Sequence, residues 1–377
     1  MEQFIPEALF ILFMLCFVAQ MGFLLIQQRR LAVYQVSQQN LSAVTLPISV
    51  IISARNEAKN LPHFLPAILE QHYPQFEVVV VNDCSVDDTH HILLKISQKY
   101  PHLKLVTVTE HPRFKTGKKF ALTMGIKAAK YEHLLFTDAD CKPASPQWIA
   151  HMAANFTGKT EIVLGYSPYI KTGGFINAFT RFETLKTGIN YLSAAIAKNA
   201  YMGIGRNLAY TKSLFFRNKG FAAHLHVLAG DDDLFVNSHA TPDNTAVEIH
   251  PNAFTFTESK RTLKGYFRQK KRHMGVGKLY QNKHRRMLSF EALTGFLFYI
   301  TLGLCIYYLM DNRVLLTMVA SAYLLRLIVQ VVIYYQAAKK LTGTGLIWFL
   351  PLYDLLHNLY LIVFGLIGAF IKTTKWK

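Results

Sequence analysis

Long apolar segments at both ends of this 377-residue chain limit what it can fold into. Between Pro6 and Ile26 only Glu7 is charged, and about 20 apolar residues suffice to cross a hydrocarbon core of about 30 Å. A cleaved leader would carry positive charge before its apolar run and small residues after it. Here Glu2 precedes the run and Gln27-Gln28-Arg29-Arg30 follows. That order reads as an uncleaved anchor, with the arginines and everything after them cytoplasmic. Three more apolar stretches lie near 288–310, 314–335 and 346–370. Asp311-Asn312-Arg313 joins the first two as a tight hairpin, and Lys339 and Lys340 fit a return to the cytoplasm. The last stretch carries Pro351, Asp354, His357 and Asn358 and ends in Lys372, Lys375 and Lys377. A simple crossing would leave those lysines outside, whereas a broken, re-entrant or interfacial segment would keep them inside. Arg326, in the middle of an apolar stretch, is expected to snorkel or to pair within the bundle.

Composition supports this frame. Basic residues exceed acidic ones by 18, yet charged residues make up only 17% and hydrophobic residues 51% of the chain. A mean hydropathy of +0.18 with so few charges excludes disorder and collagen-like repeats. Such a basic balance suits nucleic acid or an anionic membrane surface, and the apolar excess favours the membrane. The four cysteines form no C-x-x-C pair and no Cys/His metal spacing, which fits a reducing cytosol for the polar part.

The middle of the chain predicts an α/β domain. Pro47–Ala54, Glu77–Asp83, Lys104–Thr109 and His133–Asp138 read as strands; Leu61–Gln71, Thr89–Tyr100 and Lys119–Tyr131 have helical spacing. Continuous runs such as Val78-Val79-Val80-Val81 imply strands covered on both faces, hence a largely parallel sheet. Ligands of such sheets bind beyond the carboxyl ends of the strands. Polar groups cluster there: Arg55-Asn56-Glu57, Asn82-Asp83 and Asp138-Ala139-Asp140. No G-x-G-x-x-G follows the first strand and no G-x-x-x-x-G-K-[ST] occurs, so the dinucleotide and P-loop readings lose their main support. Asp138 and Asp140, spaced i, i+2 at the end of an apolar strand, can approach one Mn²⁺ or Mg²⁺, which prefers carboxylates and phosphates. Asp231-Asp232-Asp233 sets three carboxylates side by side, so at least one is expected to titrate high and serve as a general base.

The ordered set Ile51–Glu57, Val81–Thr89, Gly117-Lys118 and Thr137–Asp140 resembles family 2 glycosyltransferases, which have a GT-A fold. The resemblance spans roughly residues 47–275. It continues through Gly203-Ile204-Gly205-Arg206-Asn207-Leu208-Ala209-Tyr210, Gly230–Leu234 and the Q-x-x-R-like Arg268–His273. It implies a GT-A (nucleotide-diphospho-sugar transferase) domain with N-terminal and C-terminal transmembrane helices, and an inverting enzyme that uses a nucleotide-diphosphate sugar. By the same resemblance Glu57 and Asp83 would hold the nucleotide, with Lys118 and Arg272 on phosphate. Asp138 would help Asp140 hold Mn²⁺ or Mg²⁺, and Gln269 would lie near the diphosphate. Gly205, Asn207 and His273 would be on the acceptor side. Asp232 would be the base, with Asp231 the next candidate. Asp87 and Asp88 read as helix-start residues. His273 stands where the family usually has Trp, which favours a single transfer to a lipid over a processive polysaccharide synthase. A non-catalytic membrane scaffold is the alternative from another class.

The expected organisation is an anchor at 1–30, a cytoplasmic catalytic domain at 41–257, a basic interfacial segment at 258–287 and a membrane region of two or three spans at 288–377. Eleven Lys/Arg against Glu258 alone fall between Glu258 and Arg286, interleaved with Leu263, Tyr266 and Phe267. Just before a membrane stretch, such a segment suits an anionic lipid surface. No recognition motif accompanies it, so nucleic acid is not an expected partner.

Overall fold

The computed structural model describes residues 5–36, 40–109, 117–225, 227, 229–273 and 275–370, with the side chains of 272–273 and 366–370 outside the description. Lys372, Lys375 and Lys377 also lie outside the described residues. The chain opens with α1 (Ile5–Gly22), a π-helical stretch Phe23–Gln28 and α2 (Arg29–Val33), which together make one apolar rod of 29 residues.

Next come β1 (Ile48–Ala54), α3 (Leu61–Leu69), β2 (Phe76–Asp83), α4 (Thr89–Lys99), β3 (Leu103–Val108), α5 (Lys118–Ala128) and β4 (His133–Asp138). Each expected element is present, with ends shifted by three residues at most. The order β3-β2-β1-β4 is parallel throughout. Alternate side chains explain why both faces are apolar. Val50, Ile52, Val78 and Val80 face a core that includes Trp148, while Ile51 and Val79 face a second core that includes Phe182 and Tyr191.

Beyond β4 the sheet stops being parallel. After β5 (Lys142–Pro143), α6 (Trp148–Ala153), β6 (Ile162–Leu164) and α7 (Phe175–Ile196), strand β7 (Leu208–Thr211) pairs antiparallel with β4 and with β6. Following α8 (Lys212–Arg217) and α9 (Asp233–His239), β8 (Thr245–Val247) closes a seven-stranded sheet beside β6. The β5 pair with β9 (Thr255–Phe256) forms a separate ribbon. Because β7 runs against β4, its start lies beside the end of β4. That reversal carries Gly205 and Arg206 to the edge where Asp138 stands.

The basic helix α10 (Leu263–His273) leads to α11 (Asn282–Tyr308), α12 (Arg313–Leu341), a 3₁₀ turn Thr344–Phe349 and α13 (Leu350–Phe370). Asn312 caps α12 by accepting the Leu315 N–H at 3.1 Å, the expected hairpin. A helix of 29 residues is about 43 Å long, more than a hydrocarbon core requires. The surplus is buried in the catalytic domain. Leu24 and Leu31, Tyr334 and Leu341, and Leu350 all belong to the same core cluster as Phe182 and Tyr210. Phe13, Cys16, Phe298, Cys305, Val319 and Ala322 form a separate cluster among the apolar helices. Lys340 donates to the carbonyls of Leu31, at 3.1 Å, and Ala32, at 2.8 Å, and so ties the two rod ends together.

Arg326 pairs rather than snorkels. It lies 2.9 Å from Asp354, which also takes Lys186 of α7 at 2.7 Å and the Tyr299 hydroxyl at 2.8 Å. Pro351 sits in the first turn of α13, where a missing N–H costs nothing, and Thr344–Gly365 is long and apolar enough to span.

Candidate active site

Parallel register gathers the polar strand ends. Ser53 of β1 lies opposite Asp138 of β4, and Ala54 lies opposite Asn82 of β2. The turn after β1 is held by side chains of the turn after β2. Asn56, at φ 57°, accepts the Val86 N–H at 2.9 Å, and its own N–H reaches Ser85 at 3.0 Å. The Glu57 carboxylate accepts the Asn60 amide at 2.6 Å. Burial pushes the Glu57 carboxyl up, and the nearby Asp140 and Asp138 add to that. Asp83 is 1% exposed, with Arg55 at 4.0 Å. Asp87 accepts N–H groups of Thr89 at 3.1 Å and Ala58 at 3.2 Å. It thus sits at the start of α4, holding the Thr89 N–H.

Asp138, Asp140 and Cys141 bring one oxygen or sulfur each within 4.8 Å of one another. Such spacing lets the two carboxylates share an ion with Mg²⁺- or Mn²⁺-type oxygen preference. Burial raises the Cys141 thiol well above its ordinary range, and both neighbouring carboxylates add to the rise. A hard cation prefers oxygen donors, so the pair that fits it is Asp138 with Asp140. Burial and then Asp138 raise the Asp140 carboxyl, while Arg206 opposes them.

Lys118, in the first turn of α5, reaches Asp138 at 2.9 Å and Asp231 at 3.3 Å. Burial alone would lower this ammonium, but Asp138, Asp231 and Asp232 hold it well above the lysine range. Its neighbour Lys119 is structural, donating to the carbonyls of His224 at 2.7 Å and Val227 at 2.9 Å. Asp232 accepts the Gly205 N–H at 2.7 Å and the Asp233 N–H at 2.8 Å. Burial, then the adjacent Asp231, raises its carboxyl against the pull of Lys118. Asp233 is raised further, again by burial and then Asp232, and Tyr280 faces it. One cleft is lined by Lys118, Asp138, Gly205, Asp231 and Asp232.

Asn207 does not reach that cleft. It is fully buried and donates to the carbonyls of Tyr166 at 2.9 Å and Ala253 at 2.7 Å. It also accepts the Trp148 indole N–H at 3.0 Å. These three bonds hold the start of β7 beside Tyr166, Ala253 and Trp148. Gln269 donates to the Tyr169 hydroxyl at 3.2 Å, and Arg206 stacks on that Tyr169 ring at 4.6 Å. Arg272 and His273 end α10, their side chains outside the described residues. Sequence reasoning missed Arg206 and Lys260, both of which act electrostatically on Asp140. For Arg206 the only signal was its place between Gly205 and Asn207. Gly230 holds φ 80°, and a Cβ there would meet Leu234 and Val276, each at 2.9 Å. Gly230→Ala is expected to cost more than about 1 kcal/mol and to reduce transfer while a donor-induced thermal shift survives; unchanged turnover would refute this.

Residues 49–217 match the model of glycosyl transferase family 2. These residues form a family 2 glycosyltransferase domain. A probable glycosyltransferase, YdaM of Bacillus subtilis, is 27% identical over 241 residues, 60% of this chain and 54% of that protein. The poly-β-1,6-N-acetyl-D-glucosamine synthase of Staphylococcus epidermidis is 28% identical over 174 residues, 42% of this chain and 41% of that one. The chain thus spans about half the length of the curated relatives it matches. Mannosyltransferase PcManGT of Pyrobaculum calidifontis, solved with GDP-Man and Mn²⁺, superposes with a TM-score of 0.60 at 18% identity. That likeness covers 94% of this chain and 99% of the other, so the shared GT-A fold extends through the apolar helices around the family 2 domain.

Proposed function

We propose that the chain is an inverting glycosyltransferase that moves one sugar from a nucleotide-diphosphate sugar to a hydroxyl of a lipid or membrane-associated acceptor. The observation that carries this reading is Lys118, joined to Asp138 at 2.9 Å and to Asp231 at 3.3 Å. It links a donor-side carboxylate within the matched family 2 residues to a base loop that follows them, beside a core that apolar helices from both ends of the chain help to build. Glu57 and Asp83 stand at the strand ends where base and ribose would bind. Asp138 and Asp140 would hold Mn²⁺ or Mg²⁺, which neutralises charge on a departing diphosphate. Asp232 takes the proton of the acceptor hydroxyl; the new C–O bond forms at the anomeric carbon as the bond to the diphosphate breaks on the opposite face. The exposed basic residues of α10 suit an anionic bilayer on the cytoplasmic side.

A thermal-shift screen of nucleotide sugars with Mn²⁺ tests the donor half. The expected result is stabilisation by one donor class, lost in Asp140→Ala. Equal stabilisation of wild type and Asp140→Ala would remove the metal role, and absence of any donor effect or hydrolysis would favour a scaffold. The synthase relative favours polymer formation as a second reading. Product length in a lipid extract separates the two.

A further inference from the structure

A second cavity, of about 270 Å³, lies where the apolar helices enter the catalytic core. Its walls come from the first rod (Gln20, Gln28), from α7 (Lys186, Asn190) and from α12 and α13 (Gln330, Asn358). A cavity of this size accommodates a small head group. Three of its lining residues are nine-tenths buried and bear an atom with no hydrogen-bond partner: Gln28 Oε1, Arg326 Nε and His357 Nδ1. Orphaned buried polar atoms are costly and call for a ligand or water. Gln28 also belongs to the π-helical segment Phe23–Gln28, an irregularity common at functional sites.

Charge decides the ligand class. Lys186 and Arg326 meet Asp354, Lys270 meets Glu183, and the Glu291 carboxylate accepts Gln28 at 3.2 Å and Asn190 at 3.1 Å. Among the described residues, three cations thus balance three carboxylates, which leaves no surplus charge for an added phosphate. Mixed amide donors and acceptors beside Tyr201, Tyr280 and Tyr360 instead suit hydroxyl groups. The cavity also touches the base loop. Tyr201 and Met202 lie just before Gly205, which binds Asp232, while Tyr280 faces Asp233.

We propose that this cavity binds the uncharged, hydroxyl-bearing head group of a membrane lipid, a glycerol or a sugar. The inference rests on the reading above that the acceptor is a membrane hydroxyl. Native mass spectrometry of the full chain in detergent, with monoglucosyl dioleoylglycerol and dioleoylphosphatidylglycerol as probes, tests it. The expected result is retention of one glucosyl lipid in preference to the phospholipid, lowered at least tenfold in Thr187→Trp, which fills the cavity from α7. Leu361→Trp fills it from α13 and serves if the first variant does not fold. Equal retention by both variants, preference for the phospholipid, or no retention overturns the proposal. Retention without any sugar transfer keeps the site and sinks the acceptor reading. Transfer to a lipid that neither tryptophan variant reduces does the reverse.

Discussion

Asp232→Asn is expected to lower sugar transfer by about 10²–10⁴-fold while the donor-induced thermal shift remains. The amide keeps the side-chain volume and still accepts one of the two backbone N–H groups at this position, from Gly205 and Asp233. It has no carboxylate to take a proton. The wild-type pH profile carries the same assignment. Burial and Asp231 raise the Asp232 carboxyl, and only its ionised form is a base. Activity should therefore be present at higher pH and fall, as pH drops, through a value above that of a free aspartate. A plot of kcat/KM against pH reads this directly. An Asp232→Asn variant that transfers as fast as wild type would pass the base role to Asp231.

The second large effect concerns stability. Asp354→Ala should cost about 3–5 kcal/mol, because removing one partner of a buried ion pair strands the others. Here two cations are stranded, Lys186 at 2.7 Å and Arg326 at 2.9 Å, and the Tyr299 hydroxyl loses its acceptor. In detergent this should lower the midpoint of thermal unfolding by roughly 4–6 °C. A loss under about 2 °C would mean that water or lipid replaces the carboxylate freely. Asp354→Asn should fall between the two, since it keeps the hydrogen-bond acceptor and loses the charge.

How much was legible follows from where each partner lies in the chain. Strands β1 to β4 were readable because buried parallel strands write their burial as unbroken Val/Ile runs, as in Val78–Val81. The Asp138-Ala139-Asp140 and Asp231-Asp232-Asp233 sets were readable because their chemistry needs neighbouring carboxylates. The antiparallel arrival of β7 was not readable: it pairs Phe136 with Leu208, across 72 residues, and no local pattern records such a pairing. For the same reason Arg206 passed unnoticed, and the three internal hydrogen bonds of Asn207 to Tyr166, Ala253 and Trp148 had no local signature. Periodicity detected the apolar helices but not their division of labour. A leucine facing lipid and a leucine facing Phe182 look alike in sequence, so Leu24 and Leu341 counted as membrane although they belong to the catalytic core. Arg326 was recognisable as an oddity, but its partner sits 28 residues away on another helix.

The rod ends that Lys340 ties together have a practical consequence for anyone who trims this protein. A fragment limited to residues 41–257 would lose Leu24, Leu31, Tyr334, Ala338, Leu341 and Leu350, all at most 3% exposed in the intact chain. Their partners around α7 would then face water as a fresh apolar patch, the kind of surface that drives aggregation. Solubility cannot be reached by cutting at the sequence boundary between the apolar ends and the catalytic domain. These helices are long and apolar enough to cross a membrane, and part of their length completes the interior of the domain they flank.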